Sequence, residues 1–164
     1  DHRDLHSFPT RRSSDLILIS IVIIIAFQYY LNLFKKNKKI LLLKTFAKEY
    51  QGNISDYELY NNLIIGIDRK NSFIFFINTR NNTQYAINLS ILSKLKINHV
   101  TRKIDNKKTV ELITDFVGLV AIPKNKEKPE VILEFYNSNY GIQLGNELIM
   151  AEKWEKIINN QLTK

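Results

Sequence analysis

The densest chemical signal in this chain is Lys35-Lys36-Asn37-Lys38-Lys39. Clustered ammonium groups attract clustered negative charge, and near an anionic lipid leaflet each lysine gains about 1 kcal/mol. No second kind of chemistry accompanies them. A nucleophile needs a base and a group that orients the base, and apart from His2 and His6 the chain has only His99. There is no cysteine, so neither a disulfide framework nor a thiolate metal site is available. No second histidine or acidic pair stands at ligand spacing from His99, which argues against zinc. Gly52, Gly66, Gly118, Gly141 and Gly145 form no phosphate cradle, and Gly141-Ile142-Gln143-Leu144-Gly145 lacks the dinucleotide-binding spacing. Asp68, Asp105, Glu111, Asp115 and Glu134 read as turn residues and solvated strand faces. The expectation is no catalytic residue, no cofactor and no metal, with Lys35, Lys36, Lys38 and Lys39 as the candidate contact with lipid headgroups.

The element that must position these lysines precedes them. Leu16 to Phe34, LILISIVIIIAFQYYLNLF, carries no formal charge. As a helix rising 1.5 Å per residue it is about 28 Å long, close to the hydrocarbon thickness of a bilayer. It exceeds the apolar run of a cleavable signal, and lysines follow it where a small-residue cleavage site would stand. We therefore assign residues 17–34 as a transmembrane helix, with Tyr29 and Tyr30 near the interface that tyrosine favours. The lysine excess after the span places the C-terminal domain in the cytoplasm.

Residues 1–16, DHRDLHSFPTRRSSDL, differ abruptly from the Ile/Lys/Asn-rich remainder and begin without Met. They resemble a translated sequencing-adapter read and are set aside as a non-native tail, as processing segments are. The alternative is a genuine polar tail. Either way they add no net charge, since Arg3, Arg11 and Arg12 offset Asp1, Asp4 and Asp15. The net charge of +8 therefore lies beyond the apolar stretch.

Residues 35–53 read as a basic juxtamembrane helix, with Ile40 to Tyr50 carrying a broad apolar stripe and Gly52 as the stop. This helix either continues from the anchor or lies along the membrane against the domain. Residues 54–164 form that domain. Ser55-Asp56-Tyr57-Glu58 fits a capping box, hence a short helical turn. From Leu63 the period becomes two, and Leu63, Ile65 and Ile67 alternate with Ile64, Gly66 and Asp68. Polar turns at 68–71, 79–82 and 105–108 separate further strands at 72–78, 83–89, 94–103 and 109–122, with a bend at 90–93 and a possible bulge at Gly118. In the run from Lys94, Leu95, Ile97 and His99 share one face. A charged loop, PKNKEKP, precedes the last strand at 130–137. Leu144, Leu148, Ala151, Trp154, Ile158 and Leu162 then make one stripe on a closing helix, 146–162, that Asn146 is placed to cap. Phe73, Phe75, Phe76, Phe116, Phe135, Tyr136 and Trp154 are the expected aromatic core. The fold class is α+β: an N-terminal transmembrane helix, an antiparallel sheet or barrel, and a C-terminal amphipathic helix.

The hairpin LIIGIDRKNSFIFFI, the turn-bounded strands after it and the final helix with Trp154 resemble the pleckstrin-homology-like superfold. That fold is a bent, nearly closed antiparallel barrel of some seven strands capped by a C-terminal helix. The layout of anchor, lysines and "IGID…FFI…FYN…EKW" is also similar to small single-span proteins of unknown function in Bacteroidetes, which implies a bacterial inner membrane. The superfold hosts lipid binding, peptide binding and scaffolding, so it does not choose among them.

The leading expectation is a single-pass, cytoplasm-facing binding or scaffold module. Its partners are the bilayer, with anionic headgroups or an unknown protein at its surface. Lys94, Lys96, Arg102, Lys103, Lys107 and Lys108 on one hairpin, and Lys124, Lys126 and Lys128 in one loop, make a solvated or membrane-facing basic surface. Nucleic acid is not expected, since aromatic side chains are not interleaved with the basic ones. The alternative is a structural accessory subunit of a larger membrane complex, with Ser20, Gln28 and Asn32 bonding between helices.

Overall fold

The computed structural model describes residues 11–106, 109–141 and 143–163. Most of the expected non-native tail, with His2 and His6, lies outside the described residues, as do Lys107 and Lys108. The chain divides into two units, Asp1–Ile40 and Leu41–Lys164.

Helix α1, Arg11–Glu49, runs without a break through the apolar stretch and the lysines. It thus continues from the anchor, the first of the two options for residues 35–53, and it ends four residues earlier than that range. Leu16, Ile19, Ile23, Phe27 and Phe34 all expose more than half their surface. Exposure on every side fits a candidate membrane anchor. β-branched isoleucines weaken a helix in water, but in hydrocarbon every backbone group must be paired within the segment, which a helix achieves. The stretch Leu16–Glu49 is long and apolar enough to cross a membrane.

In the second unit the strands form two antiparallel sheets rather than one closed barrel. The first sheet has the order β1-β2-β3-β4, from Asp56–Tyr60, Leu63–Asp68, Phe73–Asn78 and Thr83–Asn88. The second has the order β5-β6-β7, from Leu92–Asn106, Thr109–Pro123 and Val131–Asn137. A 3-10 turn at Leu89–Ile91 makes the expected bend between them. Helix α2, Glu147–Leu162, closes the chain.

Strand β1 corrects the capping-box reading of Ser55–Glu58. Asp56 to Tyr60 pairs residue for residue with Ile67 to Leu63 of β2. The two-residue turn between them puts Asn61 at φ 48°, a left-handed conformation that asparagine tolerates. A fixed ladder partner overrides a local capping signal. The next two hairpins share one construction. The buried side chains of Asp68 and Asn78 accept backbone N–H bonds two residues on, from Lys70 at 2.9 Å and Arg80 at 3.0 Å. Each turn then closes with a left-handed residue, Ser72 or Asn82.

The alternation in β2 separates two cores. Every residue of β2 is buried. Leu63, Ile65 and Ile67 join Ile74, Phe76, Leu119, Leu133 and Trp154 beneath the second sheet and α2. Ile64, Phe75 and Ile77 pack on Leu43, Phe46 and Ala47 from the end of α1. The expected aromatic core accordingly divides: Phe76, Phe135, Tyr136 and Trp154 lie in the first cluster, Phe75 in the second, and Phe73 and Phe116 are half-buried.

α1 ends in a left-handed cap. Gln51, at φ 56°, donates to the Lys48 carbonyl at 3.0 Å, and Gly52 donates to that of Ala47 at 2.8 Å. The left-handed residue is therefore Gln51, not the glycine read as the stop. Gly52 is needed for close approach instead, since a Cβ there would lie 2.8 Å from the Phe75 ring. The irregularity expected at Gly118 is present as a register shift between Val117 and Gly118 in the β6–β7 pairing.

Helix α2 buries Met150, Ala151, Trp154 and Ile158. Asn146 occupies its cap position without a side-chain capping bond. The Glu147 carboxylate instead accepts from Gly145 N–H, just before the cap, at 2.6 Å. α2 also closes an open sheet edge, the kind of edge that otherwise invites pairing with another chain. Asn159 bonds both backbone groups of Leu95 in β5, at 2.8 and 3.0 Å, and Glu155 accepts from Ile97 N–H at 3.3 Å.

Candidate functional site

Lys35, Lys36 and Lys38 are exposed on α1, and Lys39 is half-buried. At about 100° per residue the four occupy an arc of about 160° along about 6 Å of helix axis. So wide an arc suits a plane of diffuse negative charge better than a single phosphate, which needs converging donors.

The other expected basic groups are placed differently. Lys94 and Lys96 are exposed in β5, and Lys103 is exposed farther along it. Arg102 is paired with Asp115, Nε to Oδ1 at 3.1 Å. In the loop after β6, Lys126 and Lys128 are exposed, while Lys124 donates to the Ser90 carbonyl at 2.8 Å and ties that loop to the bend. His99 does not join the buried face of Leu95; it is exposed and its Nε2 lies 2.9 Å from Thr114 Oγ1.

Two polar centres were not legible as such. The first is Glu134, expected on a solvated strand face. Its Oε1 accepts from Asn81 Nδ2 at 3.0 Å and from the Tyr140 hydroxyl at 3.1 Å, and its Oε2 accepts from Asn137 Nδ2 at 3.1 Å. Its backbone carbonyl receives Asn78 Nδ2 at 3.3 Å. Arg80 stacks over the Tyr140 ring, 5.5 Å from its centre. The cleft beside these groups has about 20 Å³ of free volume, room for about one water molecule. The arrangement braces the β3–β4 turn against β7. Its trace in the sequence is the run of asparagines at 78, 81 and 137, each of which carries both donor and acceptor.

The second is Asp68, read correctly as a turn residue but not as a buried one. Burial alone would raise its pKa. Bonds from Asn53 N–H at 2.7 Å, Lys70 N–H at 2.9 Å, Asn71 N–H at 3.0 Å and Asn71 Nδ2 at 2.8 Å outweigh that and hold it below the ordinary 3.8. The carboxylate is a staple between the segment that follows α1 and the β2–β3 hairpin.

No protein-family model, no curated protein and no solved structure matches this chain.

Proposed function

We propose that this protein is a single-pass membrane-anchored binding or scaffold module, its β-rich domain on the cytoplasmic side. The observation that carries this reading is the bare apolar circumference of Leu16–Phe34, followed without a helix break by Lys35–Lys39. The span localises the domain, and the lysines hold the cytoplasmic end against anionic headgroups. The domain is taken as pleckstrin-homology-like. Support comes from seven strands followed by one C-terminal helix that buries a tryptophan. Lys94, Lys96, Lys126 and Lys128 give the domain its own attraction to an anionic surface.

Orientation is directly testable because the chain has no cysteine. A single cysteine at the exposed position Glu152 should resist a membrane-impermeant maleimide in intact bacterial spheroplasts and react after lysis. Labelling in intact spheroplasts would refute the cytoplasmic orientation. Replacing Lys35, Lys36, Lys38 and Lys39 with glutamine should make a substantial fraction of the molecules reactive from outside. The domain's basic surface is tested by flotation of Leu41–Lys164 with phosphatidylglycerol and with phosphatidylcholine vesicles. Binding to the first alone, lost as salt rises, is expected; binding to neither removes lipid contact from the domain's role.

A further inference from the structure

We propose that two copies of this chain associate through their spanning helices, joined by the amide of Gln28 with support from Asn32. The inference rests on the reading that Leu16–Phe34 crosses a bilayer.

Three polar side chains other than tyrosine interrupt that stretch, and the structure treats them differently. The hydroxyl of Ser20 is already spent inside its own helix, donating to the Ile17 carbonyl at 2.7 Å. Gln28 and Asn32 are exposed and make no side-chain hydrogen bond among the described residues. They stand four residues apart, on one face of α1. Their depths differ. Counting from Lys35 at the headgroups, Asn32 lies about 4.5 Å inside and Gln28 about 10 Å inside. Asn32 is near enough to the surface to meet water. Gln28 is not, and an amide left unpaired in hydrocarbon costs several kcal/mol.

The chemistry of an amide indicates what pairs with it. A glutamine side chain both donates and accepts, so it complements an identical amide across a two-fold axis. A second copy in parallel orientation supplies that amide at the same depth without any further component. The residues around Gln28 fit a helix contact. Ile21 and Ile25 lie within about 60° of it around the helix, whereas Ile23 lies about 140° away. Lys35 falls on the same face and would repel its counterpart, so the helices must cross near Gln28 and part toward the headgroups.

The test is disulfide cross-linking of the full chain in phosphatidylcholine/phosphatidylglycerol vesicles, which the absence of native cysteine makes clean. Ile21→Cys should give a cross-linked dimer on mild oxidation, and Ile23→Cys should not. Adding Gln28→Leu to Ile21→Cys should weaken dimerisation about three- to tenfold, in line with interhelical hydrogen bonds in bilayers. Asn32→Leu should weaken it less, and Ser20→Ala should leave it unchanged. Equal cross-linking at both cysteines, or a dimer indifferent to Gln28→Leu, overturns the proposal. So does a chain that is monomeric in vesicles yet cross-links to a different protein in native membranes. Extraction of the chain by alkaline carbonate identifies the other failure: a released chain refutes the span itself, whereas a retained monomer refutes only the pairing.

Discussion

Glu58 ties the edge strand β1 to the middle of the closing helix. Trp154 is buried to 1% exposure, and its indole N–H donates to Glu58 Oε2 at 2.8 Å. The same oxygen receives Lys153 Nζ at 3.0 Å. The two bonds differ in weight. Lys153 keeps 57% of its side chain exposed, so its ion pair is worth well under about 1 kcal/mol. The indole belongs to a nearly fully buried side chain, so removing its acceptor costs the desolvation of a buried donor, about 1–3 kcal/mol. Glu58→Ala is therefore expected to lower unfolding stability by about 2–3 kcal/mol and Lys153→Ala by at most about 0.5 kcal/mol. Glu58→Gln, which retains a carbonyl acceptor, should fall between them. Urea unfolding of the full chain in mild detergent measures this directly, because Trp154 is the sole tryptophan and its fluorescence reports the site. Equal midpoints for Glu58→Ala and Lys153→Ala would refute the argument that the buried donor, not the ion pair, carries the link.

Three further outcomes are expected. Asp68 has a depressed folded pKa, so its stabilisation is complete above the unfolded carboxylate value and is lost as pH falls through the folded one. Denaturant midpoints should thus decline below about pH 4, and Asp68→Asn should be less stable at pH 7 with a flatter acid limb. Gly145→Ala should destabilise by about 1–3 kcal/mol, because the added Cβ collides with the Tyr60 hydroxyl that receives Asn146 N–H; a thermal melt unchanged from the parent would contradict this. Gln51→Gly should raise the melting midpoint, by about 0.5–1 kcal/mol in stability, since it relieves a side chain held at φ 56° in the α1 cap.

The sequence was most informative where one physical demand dominated. Leu16–Phe34 had to be helix, and the stripe from Leu144 to Leu162 had to cover a sheet. The hairpin turns were legible because Asp68-Arg69-Lys70-Asn71 and Thr79-Arg80-Asn81-Asn82 carry residues that bond their own backbone. The errors fell where a distant partner decides. Ser55–Glu58 has a valid capping signal, yet β2 recruits it as a strand. Phe75 was read as core, but that it, Ile64 and Ile77 form a second core was not legible, because the end of α1 supplies its other half. Glu134 looked solvated because Asn81 reaches it from a turn 53 residues away, and the burial of Asp68 was hidden because the Asn53 N–H that meets it comes from the segment after α1. The lysines at 35–39 were legible as a cluster, and the helix adds their arc.

Leu43, Phe46 and Ala47 belong to the helix that begins as the apolar span, yet they also seal one side of the first sheet. A protease that cut between Lys44 and Gly52 would therefore not liberate an intact soluble domain. It would strip Ile64, Phe75 and Ile77 of their cover, and burying Leu43 and Phe46 alone is worth about 1.5–3 kcal/mol each. Shedding by cleavage in that segment would amount to destruction, and any release that preserves the fold must occur before Leu43. The cover of the first sheet is thus carried by the same continuous helix as the apolar stretch, and a lesion in its last two turns would read out as loss of the folded domain.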